Sequence, residues 1–152
     1  MARMYRHAPL NSIWEGSGNV MALDVLRAAD HIPLFMHEVK LCSGIDPNVD
    51  IYIDRLEQYL QYSLGSGVLS MQAQINARGL VDQMAVAFQA SLLLRYGCPQ
   101  ATEMFIASRI GSKLNSTSSG SESNWGVNYG STAFTPSNAK YVIQDNMPVF
   151  TV

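Results

Sequence analysis

From Asp46 to Ile110 the apolar residues recur at steps of three and four, and the breaks between runs fall at glycine or proline. That spacing puts the apolar side chains of each run on one face of an α-helix. Asp46-Pro47 is a start signal, an acceptor at the N-cap followed by proline at the first helical position. Ile53, Leu56, Leu60 and Leu64, with Tyr52 and Tyr59, supply the stripe that follows. Gly65-Ser66-Gly67 breaks it. A long helix is expected from about Val68 to Tyr96, with Met71, Ile75, Val81, Met84, Phe88 and Leu92 inward and Leu93 at the edge. Gly79 within it costs about 1 kcal/mol relative to alanine, which suits either a close helix crossing or a kink. Gly97 fits a left-handed C′ position, and Pro99 bars continuation. A last helix is expected over Gln100–Ile110, with Ala101, Met104, Phe105 and Ser108 inward, ending at Gly111. No segment alternates with period two and no internal repeat is visible. The expectation is an all-α fold of antiparallel helices.

The chain before Asp46 continues the pattern. Met1 to His7 reads as the end of a helix, closed at Pro9. From Asn19, Val20, Leu23 and Leu26 have helical spacing with Ala22 and Ala29 beside them, and Asp24 and Arg27 stand three apart as a surface pair. Pro33 ends or kinks this helix. Leu34 to Leu41 forms a second one, stopped at Gly44. After Gly111 the composition changes. Ser112 to Asn124 is serine-rich with almost nothing apolar, too little burial to offset its ordering entropy, so it reads as disordered. Trp125, Tyr129, Phe134 and Tyr141 follow without a period, either docked on the helices or in a loosely ordered tail. The division expected is a helical region over 1–111 and a Ser/Gly-rich tail over 112–152.

Charged residues make up only 14% of the 152, against about a quarter in ordinary domains. Much of the surface is therefore expected to be covered by further domains or a partner. The formal net charge of -2 gives no general attraction to nucleic acid or anionic membrane. No apolar run approaches the roughly 18 residues of a membrane span. The N-terminus lacks the apolar core of a signal peptide. Cys42 and Cys98 have no metal or redox spacing and read as reduced, semi-buried thiols. His7, His31 and His37 show no ligand spacing with one another or with either cysteine.

The one local arrangement with chemistry in it is Trp14-Glu15-Gly16-Ser17-Gly18-Asn19, which leads into the first helix. Gly16 and Gly18 allow backbone angles that other residues resist. The free N–H groups at the helix start can hold an anion such as a phosphate. Glu15 beside the Trp14 ring can be partly desolvated, which raises a carboxyl pKa and makes a better base. Read from the residues alone, Glu15 is more simply a solvated loop carboxylate or a helix N-terminal charge. Ser17 and Asn19 are equally plain helix caps, and Trp14 a core ring. Arg27 is either a surface charge or a residue pointing into a channel.

Arg3-Met4-Tyr5-Arg6, Pro9 through Met21, and Leu23-Asp24-Val25-Leu26-Arg27 together resemble the C-terminal part of the acyl-CoA dehydrogenases, in the AidB-like (alkylation-response) branch. Ala77-Arg78 through Ala107-Ser108-Arg109 resembles the extra helical region that this branch carries. The resemblance covers roughly Arg3 to Gly111. It implies a C-terminal helical bundle with extra C-terminal helices and an irregular tail. It also implies that the chain corresponds to a fragment of a protein several times longer. Glu15 stands where the family's base removes the α-proton of an acyl-CoA thioester. Trp14, Gly16, Ser17 and Asn19 stand at positions beside the FAD cofactor. Homo-oligomers, dimers or tetramers, are implied as well. A non-catalytic interaction module, including nucleic-acid binding, is the alternative. Arg55, Arg78, Arg95, Arg109 and Lys113 are spread among acids, so the counterion release that drives such binding is small.

Overall fold

The computed structural model describes residues 6–7, 9–10, 18–65, 70–110 and 140. The fold is all-α: among the described residues no strand occurs. Among the described residues the helices with described bounds are, in order, α1 (Gly18–Arg27), α2 (Ile32–Lys40), α3 (Pro47–Leu64), α4 (Met71–Tyr96) and α5 (Pro99–Arg109), with a 3-10 turn at Ala29–His31 before α2. The expected ends of Met1–His7, the start at Val68, and the whole tail with Trp125, Tyr129, Phe134 and Tyr141 fall largely or wholly outside the described residues.

The chain forms two compact units. The first takes residues up to Met36 and Leu56–Met84; the second takes His37–Arg55 and the chain from Ala85. In the first, the C-terminal half of α3 groups with the N-terminal half of α4. In the second, the N-terminal half of α3 groups with the C-terminal half of α4. The two helices therefore run antiparallel in each unit, as the short connection between them requires.

The helix ends are held as the sequence suggests. Asp46 caps α3: its carboxylate accepts the N–H of Asn48 at 2.8 Å and of Val49 at 3.2 Å. Asp50, one turn into α3, accepts the N–H of Gly44 at 3.1 Å. Gly44 sits at φ +85°, where side chains are strained, and it ends the turn after α2. Ser70 caps α4 by accepting the N–H of Ala73 at 3.2 Å. Asp24 and Arg27 pair on the surface of α1.

The core of the first unit is Ala22, Leu26 and Met36 with Leu56, Leu60, Ser63, Ala73, Ala77, Leu80 and Met84. That of the second is Val39, Cys42, Val49, Tyr52, Ile53, Ala87, Ala90, Ser91 and Thr102, with Met104, Ile106 and Ile110. α3 buries the residues expected, Ile53, Leu56 and Leu60, adding Val49 and leaving Tyr59 and Leu64 half-buried. Burial pushes the Tyr52 hydroxyl far above the ordinary phenol range, so it stays protonated.

α4 departs from expectation. Met71 is 79% exposed and Ile75 68% exposed, and Phe88 and Leu92 also lie on the surface. Met84 is buried as expected, but the rest of the inward face is Ala73, Ala77 and Leu80 in one unit and Ala87, Ala90 and Ser91 in the other. Small side chains let a neighbouring backbone come close, so they are buried ahead of larger residues that cannot fit. On α1, Leu26 is buried while Val20 and Met21 are exposed. On α5, Thr102, Met104 and Ile106 are buried, whereas Ala101, Phe105 and Ser108 are only half-buried. Cys42 is buried and donates its thiol to the Val39 carbonyl at 3.3 Å, but Cys98 is exposed rather than semi-buried.

Two glycines have reasons other than those expected. Gly79 lies on the exposed side of an unbroken α4, and a Cβ there would meet only the Tyr59 hydroxyl, at 3.9 Å. It marks neither a close crossing nor a kink. Gly97 is not left-handed, since Gly44 is the positive-φ residue among those described. A Cβ at Gly97 would stand 2.6 Å from the Leu93 carbonyl oxygen and 2.8 Å from Thr102 Oγ1. Thr102 itself donates to Leu93 at 3.0 Å, closing the corner between α4 and α5.

These environments predict opposite effects for one chemical change. Gly79→Ala should stabilise the chain by about 0.5–1 kcal/mol through helix propensity. Gly97→Ala should destabilise it by about 1–3 kcal/mol through overpacking. Urea unfolding of both variants checks this, and shifts of the same sign would contradict it.

Candidate functional site

Gly18 opens α1, so the first N–H groups of that helix have no partner within it. Arg78 reaches this helix start from α4. A Cβ on Gly18 would overlap Arg78 Nη1 and would lie 2.8 Å from Cζ and 3.3 Å from Nη2. The guanidinium lies in the space that a Cβ at position 18 would take, and a larger residue there would have to turn it aside. Gly18 has no positive φ, so backbone angle does not require glycine here. One turn along α4, Asp82 accepts from Arg78 Nε at 3.2 Å. Both side chains of this pair are more than half exposed, so its own worth is small, in the range of about 0–1 kcal/mol.

Electrostatically, no carboxylate stands in the first turn of α1, and Arg27 in the last turn suits the helix dipole. Helix N–H groups and a guanidinium are all donors, and together they can hold an anionic group. Asn19 lies on this first turn and is exposed. Arg27 is tied to Asp24 on the surface, the bland one of its two expected readings. Trp14, Glu15, Gly16 and Ser17 lie outside the described residues. Arg78 is the residue that sequence reasoning missed. The only sequence signal for it is its spacing of four from Asp82, which allows the pair on one helical face but does not say what Arg78 touches.

In the second unit a cleft of about 570 Å³ is walled by Leu93, Leu94, Gly97, Pro99, Ile106 and Ala107, with Asp46, Asn48, Thr102 and Glu103 as its polar members. Asp46 is engaged in capping α3, and the Thr102 hydroxyl donates to backbone carbonyls. Elsewhere in the unit Arg95 donates to Glu38 at 2.7 Å and stacks 5.0 Å from the Tyr96 ring centre. The hydrogen bond to Glu38 is the main cause that holds the Arg95 guanidinium above its ordinary pKa. Among the described residues no group of His, Cys, Asp and Glu could hold a metal ion.

Over 103 residues the chain is 33% identical to a protein of Escherichia coli (strain K12) named "Putative acyl-CoA dehydrogenase AidB". The chain is thus similar to part of that protein. The match takes in 65% of this chain and 17% of that protein, so it spans about a sixth of its relative's length. No protein-family model matches the chain, and no solved structure matches it significantly. The relation agrees with the all-α fold. Among the described residues no helix is long and apolar enough to cross a membrane.

Proposed function

We propose that the chain is the C-terminal part of a flavin-dependent acyl-CoA dehydrogenase-type oxidoreductase, with Glu15 as the base for α,β-dehydrogenation of an acyl-CoA thioester. The observation that carries this reading is the relation to AidB, taken with Glu15-Gly16-Ser17 placed directly before the helix start at Gly18. The Glu15 carboxylate takes the proton from the α-carbon. The electron pair left there forms the double bond as a hydride departs from the β-carbon. FAD, when bound, supplies the acceptor for that hydride. A base in this role needs a pKa tuned by burial, and the Trp14 ring is the neighbouring group that can provide it. Trp14, Gly16, Ser17 and Asn19 are the cofactor-side residues on this reading. The donors at the start of α1 fit a cofactor that carries phosphates.

The partners that go with this reading are an acyl-CoA-type substrate and further copies of the chain, in dimers or tetramers. Exposed Val20, Met21 and Leu34 on α1 and α2 are apolar surface available for such packing. The reading as a nucleic-acid module has less support. Arg27, Arg78 and Arg95 are paired with carboxylates, and the net charge is -2.

Glu15→Gln in a protein carrying both this chain and its flavin-binding region tests the role of the base. Flavin reduction by an acyl-CoA, followed by stopped-flow absorbance, should slow by about 10²- to 10⁴-fold. An unchanged rate would remove Glu15 from the mechanism.

The 152-residue chain alone should not bind FAD tightly. A helix N-terminus contributes about 0.3–2 kcal/mol toward an anion, whereas a micromolar complex needs about 8 kcal/mol. On this reading most of the grip lies in regions outside these residues. The chain should instead self-associate. Stoichiometric FAD binding by a monodisperse monomer, read by fluorescence quenching and light scattering, would overturn this.

A further inference from the structure

The cleft of about 570 Å³ lies wholly within the second unit. Its size falls in the range of small-molecule sites, about 300–1,000 Å³. One side is apolar, with Leu93, Leu94, Pro99 and Ile106 on it. The corner that sets this wall is fixed, because Thr102 Oγ1 donates to the Leu93 carbonyl at 3.0 Å and the Cys98 carbonyl at 2.9 Å. The other side is polar and of one sign. Asp46 and Glu103 are its charged members, and no Lys, Arg or His stands among the described residues that line it.

The start of α3 borders the cleft yet has little to offer an anion. Pro47 has no N–H, and Asp46 already accepts from the N–H groups of Asn48, Val49 and Asp50. Glu103 is exposed, has no ion pair among the described residues, and stands past the first turn of α5. The dipole of that helix fades within the first turn, so it does not account for the carboxylate. Leu94 is in the last turn of α4, where carbonyls have no intrahelical partner and the helix dipole favours a cation. An ammonium group has three donors and no acceptor, the complement of such a set.

We propose that this cleft is a binding site for a small aliphatic amine. The alkyl chain lies along the wall of α4 and α5, and the ammonium group sits beside Asp46 and Glu103. The Asn48 amide is the one neutral polar side chain on that side besides Thr102, whose hydroxyl is already committed. The site is independent of any role for Glu15.

The test titrates the whole 152-residue chain with octylammonium chloride and follows amide shifts by NMR. Saturable shifts are expected at Thr102, Glu103 and Ile106, with a Kd on the order of a millimolar for so small a ligand. Hexylammonium, two methylenes shorter, should bind about tenfold more weakly. Octanoate, with a similar chain and the opposite charge, should not bind at these concentrations. Glu103→Gln removes one charge at an exposed position and should weaken octylammonium by about threefold or more. Ala107→Leu fills the apolar wall and should weaken it at least as much. Octanoate binding as well as octylammonium would overturn the proposal, and so would shifts centred on exposed Met71 and Ile75 instead of the cleft. Wild-type affinity in Glu103→Gln would overturn the role of the carboxylates, whatever Ala107→Leu does to the packing.

Discussion

The burial of the small-residue face of α4 is the contact on which the other features depend. Ala73, Ala77, Leu80 and Met84 are spaced by four, three and four residues, and Ala87, Ala90 and Ser91 continue the same phase into the second unit. Alanine brings little area of its own. What it brings is distance: a helix that turns alanines inward lets a partner such as α3 place Leu56 and Leu60, or Tyr52 and Ile53, close to its backbone. Once that phase is fixed, every other residue of α4 has its direction fixed too. Arg78 and Asp82 fall on the exposed side, where Arg78 meets Gly18. Met71 and Ile75 face outward as a consequence, although either would gain more from burial by itself.

Around this packing, polar groups are satisfied at the helix ends. Asp46 and Asp50 hold the turn before α3 from both sides, one by capping and one by accepting from Gly44. Thr102 does the same at the corner between α4 and α5, where only glycine at position 97 leaves space for its hydroxyl. Glu38 and Arg95 pair across the second unit, with the Arg95 side chain 13% exposed. A charge withdrawn that far from water needs its partner, and an aromatic face completes the surroundings. These devices all lie in the second unit. Their work is to fix the frame.

Much of the fold was legible because its signals are local. Asp46-Pro47 and Gly44 act within a few residues of themselves, and the α3 stripe is dense enough to set its own phase. The face of α4 was not legible. Large apolar residues stand almost all around that helix, so counting them gives no clear direction, and the deciding alanines carry little weight in such a count. Gly79, Gly97 and Gly18 were misread for a related reason. Glycine in a sequence announces missing side-chain volume, but whether the space is open, as at Gly79, or filled by Thr102 or Arg78 depends on residues far along the chain. For the candidate site, the motif around Glu15 was visible as a pattern, while the reach of Arg78 to the start of α1 is tertiary.

The most direct measurement is the difference in unfolding free energy between Ala77→Met and Ile75→Gln. With the small face of α4 inward, methionine at Ala77 overpacks the core and should cost about 1–3 kcal/mol. Glutamine at the 68% exposed Ile75 should change stability by no more than about 0.5 kcal/mol. The reverse order, with Ile75→Gln the damaging change, would mean that α4 is turned the other way and that Arg78 does not face Gly18.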